Sequence, residues 1–488
     1  MLIRLGLEDV KVVLSDAGAL LQYSAVSFLV PIFFVFLFGE PIEFAAYYLV
    51  AGAIAFIGGY FLKRTFSSSL QTDIKHAFFT ASVVWLLYPL IAAIPFILIL
   101  GMTPLNAFFE TISAVTTTGL TVMQNIIDSA PLSLLFWRSL VSWIGGVGIV
   151  VMALTGILST YSRASKWVVA EGQQEHLKPN IRNTVKEIWG IYAGLTVVGI
   201  ILLCFAGMGL FPALNYSMSA LSTTGMDLSR AGLNSPHNPL IDWVLILLMF
   251  LGGISFSVHY LLFRKRRPDI LLKDAEFKVM ILIAVATTLL ILPKFLIFHG
   301  SNYIGLKNAL FHAVSSLTGG GFSLASESGI FAWDDFVKLV LVAAMFIGGC
   351  SGSTAGGIKI SRFIILAKSV CWKIRSSVLP SKSFFARKFE GQNLDDRAIK
   401  NITQFVMLYA LFIFIGVLVV TASGYDLGSA LFEVVSAQSN VGIGNGIAHA
   451  GMPIAVEVML ILNMWIGRLE IIPVLATIGF LLSLKAKS

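Results

Sequence analysis

Charge is the first thing this 488-residue chain lacks. Only 12% of its residues are Asp, Glu, Lys or Arg, about half the share of an ordinary soluble domain. That scarcity excludes a soluble enzyme or a solvated scaffold. Cysteine is nearly absent too. Cys204, Cys350 and Cys371 have no paired or metal-ligand spacing, which leaves them as free core thiols and argues against a disulfide framework. The N-terminus lacks the pattern of a cleaved secretory signal, because Arg4, Glu8, Asp9 and Lys11 precede the first apolar run. No catalytic triad, metal cluster or general acid–base pair stands out, so an intramembrane enzyme or sensor has no residues to carry it.

What is present is apolar: 57% of residues are hydrophobic and the mean hydropathy is +0.86. Several runs reach about 20 residues, enough to cross a bilayer as helices. Helices are expected near 19–38, 44–62, 77–100, 134–158, 188–207, 241–263, 278–298, 335–348, 358–370, 402–422 and 455–482. The pair 335–348 and 358–370 reads as one span with a break, giving about ten crossings. The formal net charge is +8. Its basic residues cluster in alternate loops, among them Arg163, Lys166 and Lys178; Arg264 to Arg267; and Lys382, Arg387 and Lys388. Loops between these carry Asp128, Asp227, Asp242, Glu327 and Asp334 instead. Lys/Arg-rich loops face the cytoplasm, so a multi-pass plasma-membrane protein with both termini cytoplasmic is expected. This placement explains the basic excess without nucleic acid. It also leaves basic surfaces for anionic lipid or a cytosolic partner.

Between the apolar runs one segment recurs four times. It reads NAFFETISAVTTTGLT from Asn106, PALNYSMSALSTTGMD from Pro212, NALFHAVSSLTGGGFS from Asn308 and SALFEVVSAQSNVGIG from Ser429. Without gaps, Ser113, Ser219, Ser315 and Ser436 coincide, as do Gly119, Gly225, Gly321 and Gly442. Each segment is followed by an apolar helix holding WIGG at Trp143, FLGG at Phe250, FIGG at Phe346 or WIGR at Trp465. The unit is therefore apolar helix, short half-helix, polar glycine loop, apolar helix. Two crossings per unit make all four units face the same way, around an axis along the membrane normal. The expected fold is all-α: four parallel repeats around a pseudo-fourfold pore, plus two N-terminal helices. The divisions are 1–70, 71–165, 166–268, 269–390 and 391–488.

Irregular backbone at membrane depth is tolerated only where it is buried in protein or lines an aqueous cavity. A polar glycine loop there offers carbonyls in place of an ion's hydration shell. A single TTG is more often a helix C-cap; four aligned copies point to a ring. Carbonyl rings without carboxylates favour a large monovalent cation.

These loops, together with GGCSGSTAGGIK from Gly348 and WIGRLEIIPVL from Trp465, resemble the Trk/Ktr/HKT superfamily of K⁺ transporters over nearly the whole chain. The two extra N-terminal crossings resemble its TrkH/TrkG-like branch. The resemblance implies K⁺ as the transported ion and K⁺ uptake through a gated pore, with secondary symport coupled to H⁺ or Na⁺ as the alternative. It also implies a homodimer and a cytosolic, nucleotide-binding regulatory ring of the TrkA type. By position, the K⁺-lining residues are Thr117, Thr118 and Gly119; Thr223, Thr224 and Gly225; Gly319, Gly320 and Gly321; and Asn440, Val441 and Gly442. Glycine at the third place of every triplet favours K⁺ over Na⁺ within that family. The run Gly348, Gly349, Gly352, Gly356, Gly357 and Lys359 is the implied gating loop. Its tail lacks the spacing of a phosphate-binding loop, because Ile358 separates Gly357 from Lys359.

Arg468 stands where the other repeats have their second glycine. A charge there faces the bundle interior or the aqueous path. Either it pairs with nearby Glu470, or it acts as a fixed positive charge under the ring. Glu110, Tyr216, His312 and Glu433 share one half-helix position, expected to pack behind the loops with the carboxylates held by backbone amides.

Overall fold

The computed structural model describes residues 6–68, 70, 74–154, 181–234, 238–299, 302–325, 329–330, 332–378, 387–390, 392–471 and 474–475. Arg4, Arg163, Lys166, Lys178, Glu327 and Lys382, named above, lie outside them, as do 476–488 and the 165/166 division.

Helices dominate because in hydrocarbon a helix satisfies its own backbone. The two leading crossings are Leu7–Ser24, continued through the turn Ala25–Leu29 into Val30–Leu37, and Ile42–Thr65. Gly18 and Gly59 let them touch: a Cβ on either would lie 2.5 Å from the other's carbonyl oxygen. Small residues permit such close backbone approach in membranes.

Four units of first helix, short helix and second helix follow. In the first these are Ile74–Ala92 with Ile94–Leu100, then Pro104–Val115, then Leu132–Leu154. In the second they are Ile181–Phe205, Leu210–Leu221, and Pro239–Gly253 with Phe256–Phe263. In the third they are Ala275–His299, Asn302–Thr318, and Asp335–Ile347 with Ile360–Val378. In the fourth they are Asp396–Ala422, Leu427–Gln438 and Ile454–Arg468. Among the described residues the only strands are β1, Lys388–Phe389, and β2, Gln392–Asn393, an antiparallel pair. Phe389 packs there with Ile365 and Ile402.

Six helices among the described residues are long and apolar enough to cross a membrane, or seven if one bent pair is a single span. The shortfall from about ten lies in the second helices: those of the second and third repeats are broken, that of the fourth is short, and that of the first is described only as far as Leu154. The break in the third repeat was expected. That in the second was not: the run read as one helix over 241–263 bends by 103° after Gly253. The third repeat's loop holds this bend. Cys350 N–H donates to the Gly253 carbonyl (3.0 Å), Thr354 N–H to Gly252 (3.3 Å), and Phe256 N–H to Gly352 (3.0 Å). The helix expected over 455–482 ends at Arg468, where Glu470 (φ 61) and Ile471 (φ 54) turn left-handed. The cysteines are free, but only Cys350 is buried. Cys204 is half-buried and Cys371 exposed, so not all are core thiols.

Candidate ion pathway

All four short helices end in one way. Thr118 N–H donates to the Ser113 carbonyl (2.8 Å) and Thr117 N–H to Ala114 (2.9 Å). These are the 6→1 and 5→2 bonds of a Schellman cap. Thr224 to Ser219 (2.9 Å) with Thr223 to Ala220 (3.2 Å), and Val441 to Ser436 (2.9 Å) with Asn440 to Ala437 (3.2 Å), repeat the pair. Gly320 N–H donates to Ser315 (2.8 Å) in the third repeat. Such a cap needs a left-handed residue after the helix, and Thr117 (φ 53), Thr223 (φ 55), Gly319 (φ 72) and Asn440 (φ 51) supply it. The C-cap reading of a TTG is thus literally true, and the cap is also the start of the loop.

Two residues later the backbone is left-handed again, at Gly119 (φ 93), Gly225 (φ 72), Gly321 (φ 74) and Gly442 (φ 88). The residues between keep negative φ, so the hand alternates and successive carbonyls turn toward one side. Their destinations close a ring. A Cβ on Gly442 would strike the Thr118 carbonyl oxygen, one on Gly321 that of Val441, one on Gly225 that of Gly320 (2.6 Å), and one on Gly119 that of Thr224. The middle carbonyl of each triplet therefore faces the neighbouring repeat's glycine, in the order first, fourth, third, second, first. No side chain larger than hydrogen fits at these four places.

Side chains hold the loops from behind. The Ser113 hydroxyl donates to the Leu120 carbonyl (2.6 Å) and accepts Gly119 N–H (3.1 Å). Ser219 accepts Met226 N–H (2.8 Å), Ser315 donates to Phe322 (2.7 Å), and Ser436 accepts Gly442 N–H (3.0 Å). The shared half-helix position fastens the outer return of each loop. Glu110 accepts Val122 N–H (3.0 Å), and Glu433 accepts Asn445 N–H (2.8 Å) and Ala448 N–H (2.9 Å). His312 Nε2 accepts Leu324 N–H (3.3 Å), while the Tyr216 hydroxyl donates to Asp227 (3.0 Å). Sequence reasoning anticipated amides on the carboxylates. It missed Arg138, whose buried Nε donates to Glu110 at 2.5 Å.

The ring's environment suits a cation. Four helix C-termini, each carrying partial negative charge, end at it. The triplets themselves hold no charged residue. The hydroxyl oxygen of Thr117 and the Oδ1 of Asn440 are buried with no hydrogen-bond partner among the described residues. Buried polar atoms are rarely left so, and both oxygens belong to the first residue of a triplet.

Beneath the ring, residues 348–359 form an irregular loop that touches the second and fourth repeats. The Thr354 hydroxyl donates to the Leu221 and Gly252 carbonyls (both 2.9 Å). A Cβ on Gly356 would strike the Ser439 carbonyl. Arg468, 3% exposed, donates to the Thr354 carbonyl (2.8 Å) and the Gly145 carbonyl (3.4 Å), and Lys359 donates to the Ala355 carbonyl. The Arg468–Glu470 pair does not form. Glu470 faces Arg362 at 2.5 Å, because the left-handed turn after Arg468 carries it away from the axis. Glu276, buried at the start of the third repeat, accepts Ser351 N–H (2.5 Å).

The recurring first glycine of WIGG also has its cause. Cβ atoms on Gly145, Gly252 and Gly467 would strike the carbonyls of Val115, Leu221 and Gln438, the last residues of the short helices.

Comparison with known proteins places this geometry. A model of the TrkH family, described as cation transport protein, matches residues 47–483. An uncharacterised cation transporter of Methanocaldococcus jannaschii is 31% identical, covering 97% of this chain and 96% of its own. The Trk system potassium uptake protein TrkH of Halomonas elongata is 30% identical over 96% of this chain and 98% of its own. The crystal structure of the potassium transporter TrkH from Vibrio parahaemolyticus aligns with a TM-score of 0.83 at 26% identity, covering 95% and 97% of the two chains. Fold and ring together define a helical, multi-pass membrane transporter rather than an enzyme. The chain belongs to the TrkH family of cation transport proteins.

Proposed function

We propose that the chain conducts K⁺, and Rb⁺ with it, into the cell down its electrochemical gradient through the ring of four loops. The observation that carries this is the closed cycle of middle carbonyls from Thr118, Thr224, Gly320 and Val441 facing Gly442, Gly119, Gly225 and Gly321. Carbonyls so arrayed replace the hydration shell of a weakly hydrated cation. The unpartnered Thr117 hydroxyl adds an uncharged ligand from the first repeat. The potassium-uptake names of the relatives agree with this cargo.

The proposed filter is therefore Thr117–Gly119, Thr223–Gly225, 319–321 and 440–442. The loop Gly348, Gly349, Gly352, Gly356 and Gly357, with Lys359 and Arg468, is the proposed gate. Arg468 ties it to the first and fourth repeats in a blocking arrangement, Lys359 braces it from within through the Ala355 carbonyl, and withdrawal opens the path. This is a two-state element that a bound regulator biases. Regulation by a cytosolic nucleotide-binding ring, a homodimer with one pore per chain, an anionic-lipid contact, cytoplasmic termini and repeats bounded near 71, 166, 269 and 391 complete the reading.

The test is ⁸⁶Rb⁺ uptake into vesicles holding the purified protein, with and without a proton or sodium gradient. A pore shifts its reversal potential with K⁺ alone. A shift with either imposed gradient would replace this reading by coupled symport.

A further inference from the structure

We propose that Arg138 is the positioning residue for ion discrimination at the seam between the first and second loops; this rests on the filter reading above. Arg138 lies on the second helix of the first repeat and is 2% exposed. Its Nε donates to Glu110 Oε1 at 2.5 Å, and Glu110 in turn takes Val122 N–H (3.0 Å) and the Thr121 hydroxyl (3.0 Å), just beyond Gly119. Its Nη1 donates in the other direction, to the Asp227 carbonyl at 2.7 Å, two residues beyond Gly225. The Asp227 carboxylate accepts the Tyr216 hydroxyl (3.0 Å). One guanidinium thus joins the outer returns of two adjacent loops, at the seam where the Thr224 carbonyl faces Gly119.

The brace is particular to this seam. Counted back from the aligned glycines Gly145, Gly252, Gly348 and Gly467, the matching residues are Arg138, Leu245, Leu341 and Leu460. A planar guanidinium donates along two fixed directions at once; an ammonium is a single point charge. Loss of the brace frees the first loop to move against the second. A carbonyl cage that gives way closes around a smaller ion, so Na⁺ gains relative to K⁺.

The experiment measures the K⁺/Na⁺ permeability ratio from reversal potentials in liposomes for Arg138→Lys, Arg138→Met and the double variant Glu110→Gln with Arg138→Met. Arg138→Met alone leaves a buried, uncompensated carboxylate. The double variant removes that charge and isolates the brace. Its ratio is expected to fall roughly tenfold, equivalent to about 1.4 kcal/mol of discrimination, with K⁺ flux retained. Arg138→Lys restores the ion pair and recovers only part of the ratio. A wild-type ratio in the double variant overturns the proposal; if that variant fails to fold, a wild-type ratio in Arg138→Lys does so. Gly119→Ser is measured alongside. A shift there with none at Arg138 sinks the brace and leaves the filter, whereas no shift in either sinks the filter reading itself.

Discussion

The first and third repeats run the same backbone through the ring and then part. In the first, Thr117 and Gly119 are left-handed; in the third, Gly319 and Gly321 are. The serine behind each loop bonds the matching carbonyl at 2.6 and 2.7 Å. Below the ring the likeness ends. Leu132–Leu154 runs unbroken through Gly145 and Gly146, while Asp335–Ile347 stops at Gly348 (φ 74) and resumes only at Ile360. The repeats thus match at the four loops and part below them, where the proposed gate needs only one moving part.

The largest effect expected from breaking the likeness is at the ring. Gly119→Ser forces a Cβ into the Thr224 carbonyl and into a left-handed backbone. Overpacking of this kind costs about 1–3 kcal/mol, so the loop must yield. The expected outcome is a fall in the K⁺/Na⁺ permeability ratio of roughly tenfold or more, the factor set by 1.4 kcal/mol. An unchanged ratio at normal expression removes Gly119 from the filter.

Next in size is the difference below the ring. Shortening 348–357 by residues should leave the ratio intact and raise basal flux in the absence of a regulator. Arg468→Ala acts on the same element from the other side, because it frees the Thr354 carbonyl and removes a charge from the path. Two unit charges about 4 Å apart repel by roughly 4 kcal/mol at an effective dielectric of 20, so maximal K⁺ flux should rise severalfold. Arg468→Lys keeps the charge and loses the second bond. A rate between those of the parent and Arg468→Ala assigns both roles, and a fall in rate for folded Arg468→Ala makes the residue structural. The basic segment around Arg387, proposed to be cytoplasmic, should matter least to flux itself. Reversing Arg387 and Lys388 is expected to weaken capture of a soluble regulatory ring, although Arg387 is already engaged with Asp396. Undiminished pull-down takes both residues out of that interface.

The repeat, the third-place glycines and the break after Gly348 were legible in the sequence because each is written in local residue type. The aligned serines were visible too, though not their partners. What stayed hidden depends on contacts far apart in the chain. The bend after Gly253 needs Cys350, Gly352 and Thr354 to hold it, and Glu470 turns to Arg362, which lies 108 residues away. Arg138 is by sequence a lone charge in an apolar run, and only the fold brings Glu110 and Asp227 to it. The left-handed state of Thr117, Thr223 and Asn440 was also unreadable, since Thr in particular rarely adopts it.

That last point sharpens the comparison of the two repeats most finely. Gly319 occupies the left-handed cap without strain, whereas a β-branched residue at Thr117 bears a cost of about 1–2 kcal/mol. Yet the Thr117 hydroxyl is buried with no partner among the described residues, so a residue that costs stability also presents an idle oxygen. Strain of this kind, where it is observed, points toward function. Three substitutions separate the two effects. Thr117→Gly makes the first repeat like the third: thermal stability should rise by about 1 kcal/mol, because glycine takes positive φ freely, while K⁺ affinity falls with the lost oxygen. Thr117→Ala keeps most of the strain and loses the oxygen, so affinity should fall without the gain in stability. Thr117→Ser keeps the oxygen and should hold affinity near that of the parent. Measured by K⁺-dependent shifts in melting temperature, the order Ser above Gly and Ala identifies the hydroxyl as an ion ligand. Equal K⁺ shifts in all three would mean that the oxygen does not bind, and that carbonyls alone make the first repeat's share of the site.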